Sequence, residues 1–232
     1  NESVVIDIMP KIIHCNQVAY VKGRYIGEGI KLIEGMMDFT DDSKLPGILL
    51  AVDFSKAFDS LNHAFLWKVL EVFGFPASYI DLIKLLYNDI ESCVMNNGNS
   101  TGYFGIDCGV KQGDPLSAYL FTLAIEVLAI YIRSHDSIKG IKFYNEIVKL
   151  SLYADDLTAF LHDEESAKLL FDVLHNYSEV SGLSINKSKT EAMWLGGYKG
   201  RAYKPLGVKW KDLVKIMGIY FSYDKNSMVT HN

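Results

Sequence analysis

The sequence predicts an α+β fold in which an antiparallel sheet is backed by helices, and two observations lead to this prediction. The apolar run GILLAVD follows Pro46 and ends at Asp53, which is typical of a central strand buried on both faces. The predicted element order is strand, helices, hairpin, helix, strands, helix and strand, which fits a split βαβ arrangement. Two central strands lie side by side in such a sheet, so Asp53 can meet the YADD run (residues 153–156) at one edge.

The segment before the central strand is predicted to be mostly helical. Apolar residues at helical spacing predict a helix over residues 4–14, with a kink at Pro10, and a second short helix over residues 27–39. The string NQVAYVKGR between them is predicted to be a loop.

Local signals then place two helices and a hairpin after the central strand. Asn62 is a candidate N-cap of a helix that Gly74 ends, and Pro76 begins another helix that reaches about Tyr87. The Asn-Gly pair at positions 97 and 98 lies between two short strands and predicts a hairpin turn.

The middle of the chain is predicted to hold a core helix and further strands. Asp114-Pro115 gives a helix start, and the residues that follow carry an apolar helical stripe. Strands are predicted over residues 138–144 and 147–153, and LTAFL (residues 157–161) completes the YADD hairpin.

The last third is predicted to hold one helix and two strands. Asp163, Glu164 and Glu165 suit the first turn of a helix that reaches Val180. GLSINKSKTEAMWL is predicted to be a turn and a strand, GGYKGRAYKPLG a loop, and KIMGIYF a final strand.

Composition indicates an ordinary globular protein. The chain has 232 residues, enough for one large domain or two small ones, with 49% hydrophobic and 22% charged residues. Cys15, Cys93 and Cys108 are odd in number and lack metal-ligand spacing, which predicts idle thiols in a reducing compartment. No signal peptide, targeting tract or apolar run long enough to span a bilayer is recognised, so an intracellular protein without a membrane partner is expected. Because the first residue is Asn, we expect a fragment.

Charge is distributed unevenly along the chain. The formal net charge is −5, which by itself argues against a nucleic-acid partner. Residues 187–215 nevertheless carry +6, so the rest carries −11. This segment is either a solvated basic loop or a track for a phosphate backbone. Its basic residues are Lys187, Lys189, Lys199, Arg201, Lys204, Lys209, Lys211 and Lys215.

Three aspartates form the main candidate site. Asp155 and Asp156 lie at a predicted hairpin tip, and Asp53 ends the central strand. At ~4 Å and an effective dielectric near 20, each like-charge contact costs roughly 4 kcal/mol. A divalent cation removes this cost, so the cluster predicts a Mg²⁺ site for phosphoryl chemistry. The alternative for Asp53 is a strand-end residue that caps the next turn.

Four strings in order resemble the palm motifs of reverse transcriptases, most closely those of non-LTR (LINE-type) retrotransposons. They are AVDFSKAFDSLNH, GVKQGDPLSAYLFTLAIE, YADD and GLSINKSKT, and the likeness runs from Asn16 to about Phe221. It implies a polymerase palm-like sheet with partial fingers. Residues 1–46 would be the partial fingers region, 47–222 the palm and 223–232 a tail.

The resemblance implies roles for the acidic residues. Asp53 and Asp155 would be the ligands of two Mg²⁺ ions, which Mn²⁺ can replace, and the backbone carbonyl of Phe54 would be a further ligand. Asp156 would support the catalytic site rather than bridge the metals.

It also implies substrate contacts. Phe58 would be the steric gate that selects deoxynucleotides, with a plain core residue as the alternative. Gln112 and Gly113 would lie near the templating base. Arg24 would contact the triphosphate or template, or merely face solvent.

Basic residues near the C-terminus complete the predicted site. Lys189 matches the lysine proposed as general acid for pyrophosphate, and Lys187 competes for that role. KIMGIYF resembles the primer-grip strand, which places Lys215 and Gly218 near the primer.

The implied function is an RNA-directed DNA polymerase acting in retrotransposition, in cytoplasm and nucleus. Its partners would be an RNA template, a DNA primer, deoxynucleoside triphosphates and the remainder of the parent polyprotein. The upstream fingers segment, thumb and endonuclease domain are not recognised, which argues against independent activity of the fragment. The alternatives are a catalytically silent or domesticated nucleic-acid-binding module and a group II intron-type maturase. A nucleotidyl cyclase is a less suitable alternative, because that class of enzyme would not explain the QGDPLS motif.

Overall fold

The computed structural model describes residues 2–232, which form helices and short strands. The helices are α1 (Glu2–Ile12), α2 (Ile26–Ser43), α3 (Ala57–Ser60), α4 (His63–Val72), α5 (Ala77–Tyr87), α6 (Pro115–Ser134), α7 (Glu164–Ser181) and α8 (Lys225–His231). The strands are β1 (Gly47–Val52), β2 (Glu91–Ser92), β3 (Met95–Asn96), β4 (Asn99–Ser100), β5 (Phe104–Gly105), β6 (Ile141–Phe143), β7 (Glu146–Val148), β8 (Leu150–Tyr153), β9 (Asp156–Leu161), β10 (Glu191–Leu195), β11 (Lys209–Trp210), β12 (Leu213–Ile216) and β13 (Ile219–Ser222).

A five-stranded sheet in the order β11-β10-β1-β9-β8 forms the centre of the fold. Its pairings are antiparallel except for the parallel pair of β10 and β11. Ile48 and Leu50 of β1 belong to one buried cluster, whereas Leu49 belongs to another. The predicted α+β class is therefore confirmed, and β1 is a central strand buried on both faces.

Several local predictions agree with the structure. The Asn62 side chain accepts a hydrogen bond from the Phe65 N–H and begins α4, and Asp114 caps α6 through the Leu116 N–H. The hairpin around Asn97-Gly98 is present as β3 and β4. Helix α2 runs four residues beyond the predicted end and stops at Lys44, which has a left-handed conformation.

KIMGIYF is a hairpin, so the prediction of one final strand is wrong. Strands β12 and β13 pair in antiparallel fashion, and Met217 and Gly218 form the turn with φ of 52° and 82°. Two consecutive positive φ values are typical of a tight hairpin turn that matches strand twist. The turn was not predicted from the sequence because Met-Gly lacks the usual Asn or Asp in the first position.

The segment over residues 147–153 is divided between two hairpins. Strand β7 pairs with β6, whereas β8 pairs with β9. Lys149 lies between them, and its ammonium group donates hydrogen bonds to the carbonyls of Ile132, Arg133 and His135 at the end of α6. These bonds tie the strand break to the last turn of the core helix.

Helix α6 contradicts the expectation that no apolar run is long enough to span a bilayer. By length and composition alone its 20 residues pass that test. Most of that helix is buried inside the protein, where Phe121 and Ile125 are fully buried. Its buried side chains share the main core cluster with residues of the central sheet.

Both ends of the chain pack onto the central part. Val5, Met9 and Ile13 of the first 46 residues share the main core cluster with the strands. In the predicted tail, the Asn232 side chain exchanges two hydrogen bonds with the Tyr220 backbone, so α8 lies back against β13.

Candidate active site

The three aspartates lie at the same end of two adjacent strands. Val52 of β1 is opposite Leu157 of β9, so Asp53 leaves β1 where Asp156 enters β9. Tyr153 pairs with Asp156 across the β8–β9 hairpin, which leaves Ala154 and Asp155 as its tip. The predicted meeting of Asp53 with the YADD hairpin is therefore observed.

Burial and neighbouring charges raise the pKa values of Asp155 and Asp156. Partial burial raises the pKa of Asp156 to about 6, and the charges of Asp155 and Asp53 add to the shift. Asp156 is exposed as a residue, but neighbouring atoms desolvate its carboxyl group. Burial also raises the pKa of Asp155, with a further contribution from Asp53. The site therefore disfavours three simultaneous negative charges.

The GLSINKSKT segment holds the backbone at Asp53. The Asp53 carbonyl accepts a hydrogen bond of 2.7 Å from the Asn186 N–H, and the Asp53 N–H donates to the Thr190 hydroxyl at 3.3 Å. That hydroxyl in turn donates to the Asn186 carbonyl. Phe54 is buried and forms an isolated bridge with Ile185. The sequence analysis missed Thr190, whose full burial only the structure shows.

The segment before α2 pairs with the edge strand of the sheet. Gln17 forms a parallel bridge with Leu152, and its fully buried side chain bonds to Ala154 at the hairpin tip. Sequence reasoning treated this segment as a plain loop. A glutamine in the otherwise apolar string QVAYV was the available signal.

Phe58, Gln112 and Gly113 line one concave surface together with Tyr20. The Phe58 ring is half-buried and stacks on Phe121 at a centroid distance of 4.4 Å. The Gln112 amide donates to the Asp59 carboxylate at 3.1 Å. Gly113 has a φ of +89°, and an added Cβ there would meet open space, so the turn rather than crowding favours glycine.

Tyr20 lines this concave surface, although the sequence analysis did not select it. It adopts a left-handed conformation with φ of 55° and is 49% exposed. Burial of its hydroxyl raises the pKa of Tyr20, and the nearby Tyr153 and Asp155 add to the effect. Tyr20 thus joins the concave surface of Phe58 to the acidic hairpin tip.

A second cavity, which two of the three aspartates line, contains the predicted general acid. Lys189 and Lys215 line it together with Asp53, Asp156 and Glu191. Lys187 and Gly218, which were also predicted to contact nucleic acid, do not line this cavity. The Lys187 ammonium group is 5.4 Å from the Phe171 ring centroid. Gly218 is exposed in the β12–β13 turn.

The structure shows Arg24 in a structural role. Its guanidinium group donates hydrogen bonds of 2.6–2.8 Å to the carbonyls of Ile13, His14 and Gln17, at the end of α1. The predicted contact with triphosphate or template stays a prediction.

Three members of the basic segment are neutralised locally. Lys199 pairs with Asp41, Arg201 with Glu164, and Lys211 with Glu191. Lys189 and Lys215 are exposed beside the acids instead. The track that a phosphate backbone could follow is therefore narrower than the sequence indicates.

Within residues 2–232, no group of three or more His, Cys, Asp or Glu side chains is arranged to hold one metal ion. The predicted metal set has only two carboxylates, Asp53 and Asp155, plus a backbone carbonyl. Mg²⁺ typically takes one or two carboxylates and completes its shell with water and substrate phosphates. The all-oxygen donors and their mutual repulsion therefore fit such a cation.

This fold and acidic site are those of a nucleic-acid polymerase palm, and family comparison agrees. The chain belongs to the reverse transcriptase (RNA-dependent DNA polymerase) family, whose match covers residues 2–221. The resemblance found in the sequence is confirmed.

Curated relatives narrow the comparison to retrotransposon proteins. The chain is 28% identical over 94% of its length to the Transposon TX1 uncharacterized 149 kDa protein of Xenopus laevis. It is 34% identical over 63% of its length to the Pol polyprotein of the retrotransposable element R2DM of Drosophila melanogaster. These matches support a reverse transcriptase domain of a LINE-type element. The chain spans only 17% and 14% of those two proteins.

Solved structures show the same fold. Apo telomerase from Candida tropicalis, truncated from its C-terminal domain, matches the whole chain with a TM-score of 0.66 and 14% identity, over 43% of that protein. A second apo telomerase structure from the same organism covers 95% of this chain and 38% of the other, at 13% identity and a TM-score of 0.65. Both likenesses concern the fold alone.

Proposed function

We propose that this chain is the catalytic part of an RNA-directed DNA polymerase that extends a primer 3′-end with deoxynucleotides during retrotransposition. The observation that carries the proposal is the convergence of Asp53, Asp155 and Asp156 at one end of strands β1 and β9. The family membership and the retrotransposon relatives support it.

Asp53, Asp155 and the Phe54 carbonyl are the groups we assign to two Mg²⁺ ions. Such ions stabilise the charge on the attacking and leaving oxygens of an in-line displacement. The protein contributes by holding Asp53 through Asn186 and Thr190. Asp156 adds negative charge beside the site, which strengthens the attraction for cations.

The concave surface of Tyr20, Phe58, Gln112 and Gly113 is the proposed place of the incoming nucleotide and templating base. Phe58 is held against Phe121, so its ring cannot retreat from a ribose 2′-hydroxyl without losing that stack. Gln112 has hydrogen-bonding groups for a base, and Tyr20 offers an aromatic face beside Asp155. Such an arrangement would select deoxynucleotides over ribonucleotides.

Lys189 is the proposed general acid. The new bond joins the primer 3′-oxygen to the α-phosphorus, the 3′-hydroxyl proton passes to solvent water, and the bond from that phosphorus to the pyrophosphate oxygen breaks. Lys189 donates a proton to the departing pyrophosphate, while Lys187 is its nearest competitor. Catalysis would otherwise come from positioning and electrostatic stabilisation.

The cavity that holds Lys215 is proposed to receive the primer, with the Gly218 turn close to its terminus. Lys187 would extend the contact with the phosphate backbone. The partners are then an RNA template, a DNA primer and the rest of the parent polyprotein. Action in cytoplasm and nucleus follows from that role.

Extension of a DNA primer on an RNA template, with and without Mg²⁺, tests the proposal. Asp155→Ala should abolish extension, whereas Asp172→Ala, which removes an exposed carboxylate on α7, should leave it at the parental rate. Equal extension by the parent and Asp155→Ala would refute the assigned site. Primer–template binding without extension by the parent would favour the catalytically silent binding module instead.

A further inference from the structure

Gln17 lies fully buried beside the acidic hairpin tip, far from it in sequence. The backbone around Gln17 pairs with the edge strand β8. The Leu152 N–H donates to the Asn16 carbonyl at 2.8 Å, and the Val18 N–H donates to the Leu152 carbonyl at 3.0 Å. These two bonds set Gln17 next to the last residues of β8, within reach of the turn.

The Gln17 side chain bonds to both backbone groups of Ala154. Its Oε1 accepts from the Ala154 N–H at 3.1 Å and from the Ala19 N–H at 2.9 Å, and its Nε2 donates to the Ala154 carbonyl at 3.3 Å. The amide orientation follows from chemistry, because only an oxygen can accept from two N–H groups. The side chain therefore holds both peptide planes that flank Ala154.

Ala154 needs such support because its conformation is unfavourable. Its φ of 54° lies in the left-handed region, which a residue with a Cβ rarely adopts. Asp155 follows directly in the chain. Rotation of either peptide at Ala154 would therefore move the Asp155 carboxylate away from Asp53. Repulsion among the aspartates also pushes the tip apart.

We propose that Gln17 is a positioning residue that fixes the YADD turn and thereby the Asp155 carboxylate. The catalytic consequence rests on the proposed function. The restraint of Ala154 by the three hydrogen bonds of the Gln17 side chain, which we name the clamp, is a feature of the structure alone. Gln17 touches no reacting atom in this scheme and acts only through Ala154.

Gln17→Met tests the clamp, because methionine keeps the length and shape of glutamine and removes all three hydrogen bonds. Tyr177→Phe is the matched control: it removes one buried hydrogen bond to a backbone carbonyl, that of Ala124, between α7 and α6. Asp155→Asn reports on the metal site. Each variant is compared with the parent by amide hydrogen exchange in NMR spectra and by titration with Mn²⁺ alone.

In Gln17→Met the Ala154 N–H should exchange at least about tenfold faster, and Mn²⁺ should bind several-fold more weakly. Primer extension should show a kcat lowered on the order of tenfold to a hundredfold with KM for the nucleotide little changed, because a small misplacement of a catalytic group has this effect. Tyr177→Phe should match the parent in all three. Parental exchange and Mn²⁺ affinity in Gln17→Met would overturn the inference.

Failure of the proposed function looks different. If Asp155→Asn binds Mn²⁺ as tightly as the parent does, the metal site is wrong, while exchange at Ala154 still decides the clamp. If Gln17→Met does not fold, the parent provides the test. Its Ala154 N–H must then exchange at least about tenfold more slowly than the N–H of Gly98 in the exposed β3–β4 turn, and equal rates would overturn the inference.

Discussion

Asp156→Asn should make the protein more stable at neutral pH. The pKa of Asp156 is raised to about 6 from an ordinary value of 3.8, chiefly by burial and then by the charges of Asp155 and Asp53. Between pH 4 and 6 the folded state therefore binds more protons than the unfolded state. The free energy of unfolding of the parent falls as pH rises through this window, and an asparagine removes that loss.

The size of the effect follows from the shift. A change of about two pKa units corresponds to ~3 kcal/mol as an upper bound. Because Asp156 is exposed as a residue, solvent screening reduces this to about 1 kcal/mol. Urea denaturation of parent and variant from pH 4 to pH 8 measures the difference in the free energy of unfolding directly.

Asp163→Asn is the control of opposite sign. Hydrogen bonds from the Ser166 N–H and hydroxyl outweigh the desolvation of Asp163 and lower its pKa. Its stabilising contribution is present above about pH 4 and is lost as pH falls, so removal of the charge in this variant should lower the free energy of unfolding at pH 7 but not below the folded-state pKa of Asp163. An Asp156→Asn curve parallel to the parental one over pH 4–8 would refute the raised pKa of Asp156.

Three further predictions concern substrate, core and metal. Phe58→Val should lower the preference for deoxynucleotides over ribonucleotides by roughly 10- to 200-fold, the scale of one steric contact, in competitive primer extension; an unchanged ratio would make Phe58 a core residue. Phe160→Ala, near the end of β9, should lower the free energy of unfolding by roughly 3–5 kcal/mol in urea, and a loss under 1 kcal/mol would contradict the full burial of that ring. Mg²⁺ at ten times its Kd should raise the Tm of the parent by roughly 3–6 °C but not that of Asp53→Asn, and equal shifts would place the ion elsewhere.

Features that depend on neighbouring residues could be predicted from the sequence. The apolar run of β1 cannot be placed anywhere but in a core, and the caps Asn62 and Asp114 act on N–H groups two or three residues away. The order of the motifs was sufficient to predict the palm-like fold and to select Asp53 and Asp155 as partners. These inferences needed only local chemistry and a known arrangement of strands.

The partners of polar side chains across the fold could not be predicted from the sequence. The bonds between Gln17 and Ala154 join residues 137 positions apart, and the guanidinium group of Arg24 is held by three carbonyls. Lys199 likewise forms a salt bridge with Asp41, so it does not contribute a free charge to the basic segment. The physical reason is that a buried or crowded polar group binds whatever complementary atom the fold brings within about 3 Å, and that distance is a property of chain packing, not of sequence spacing.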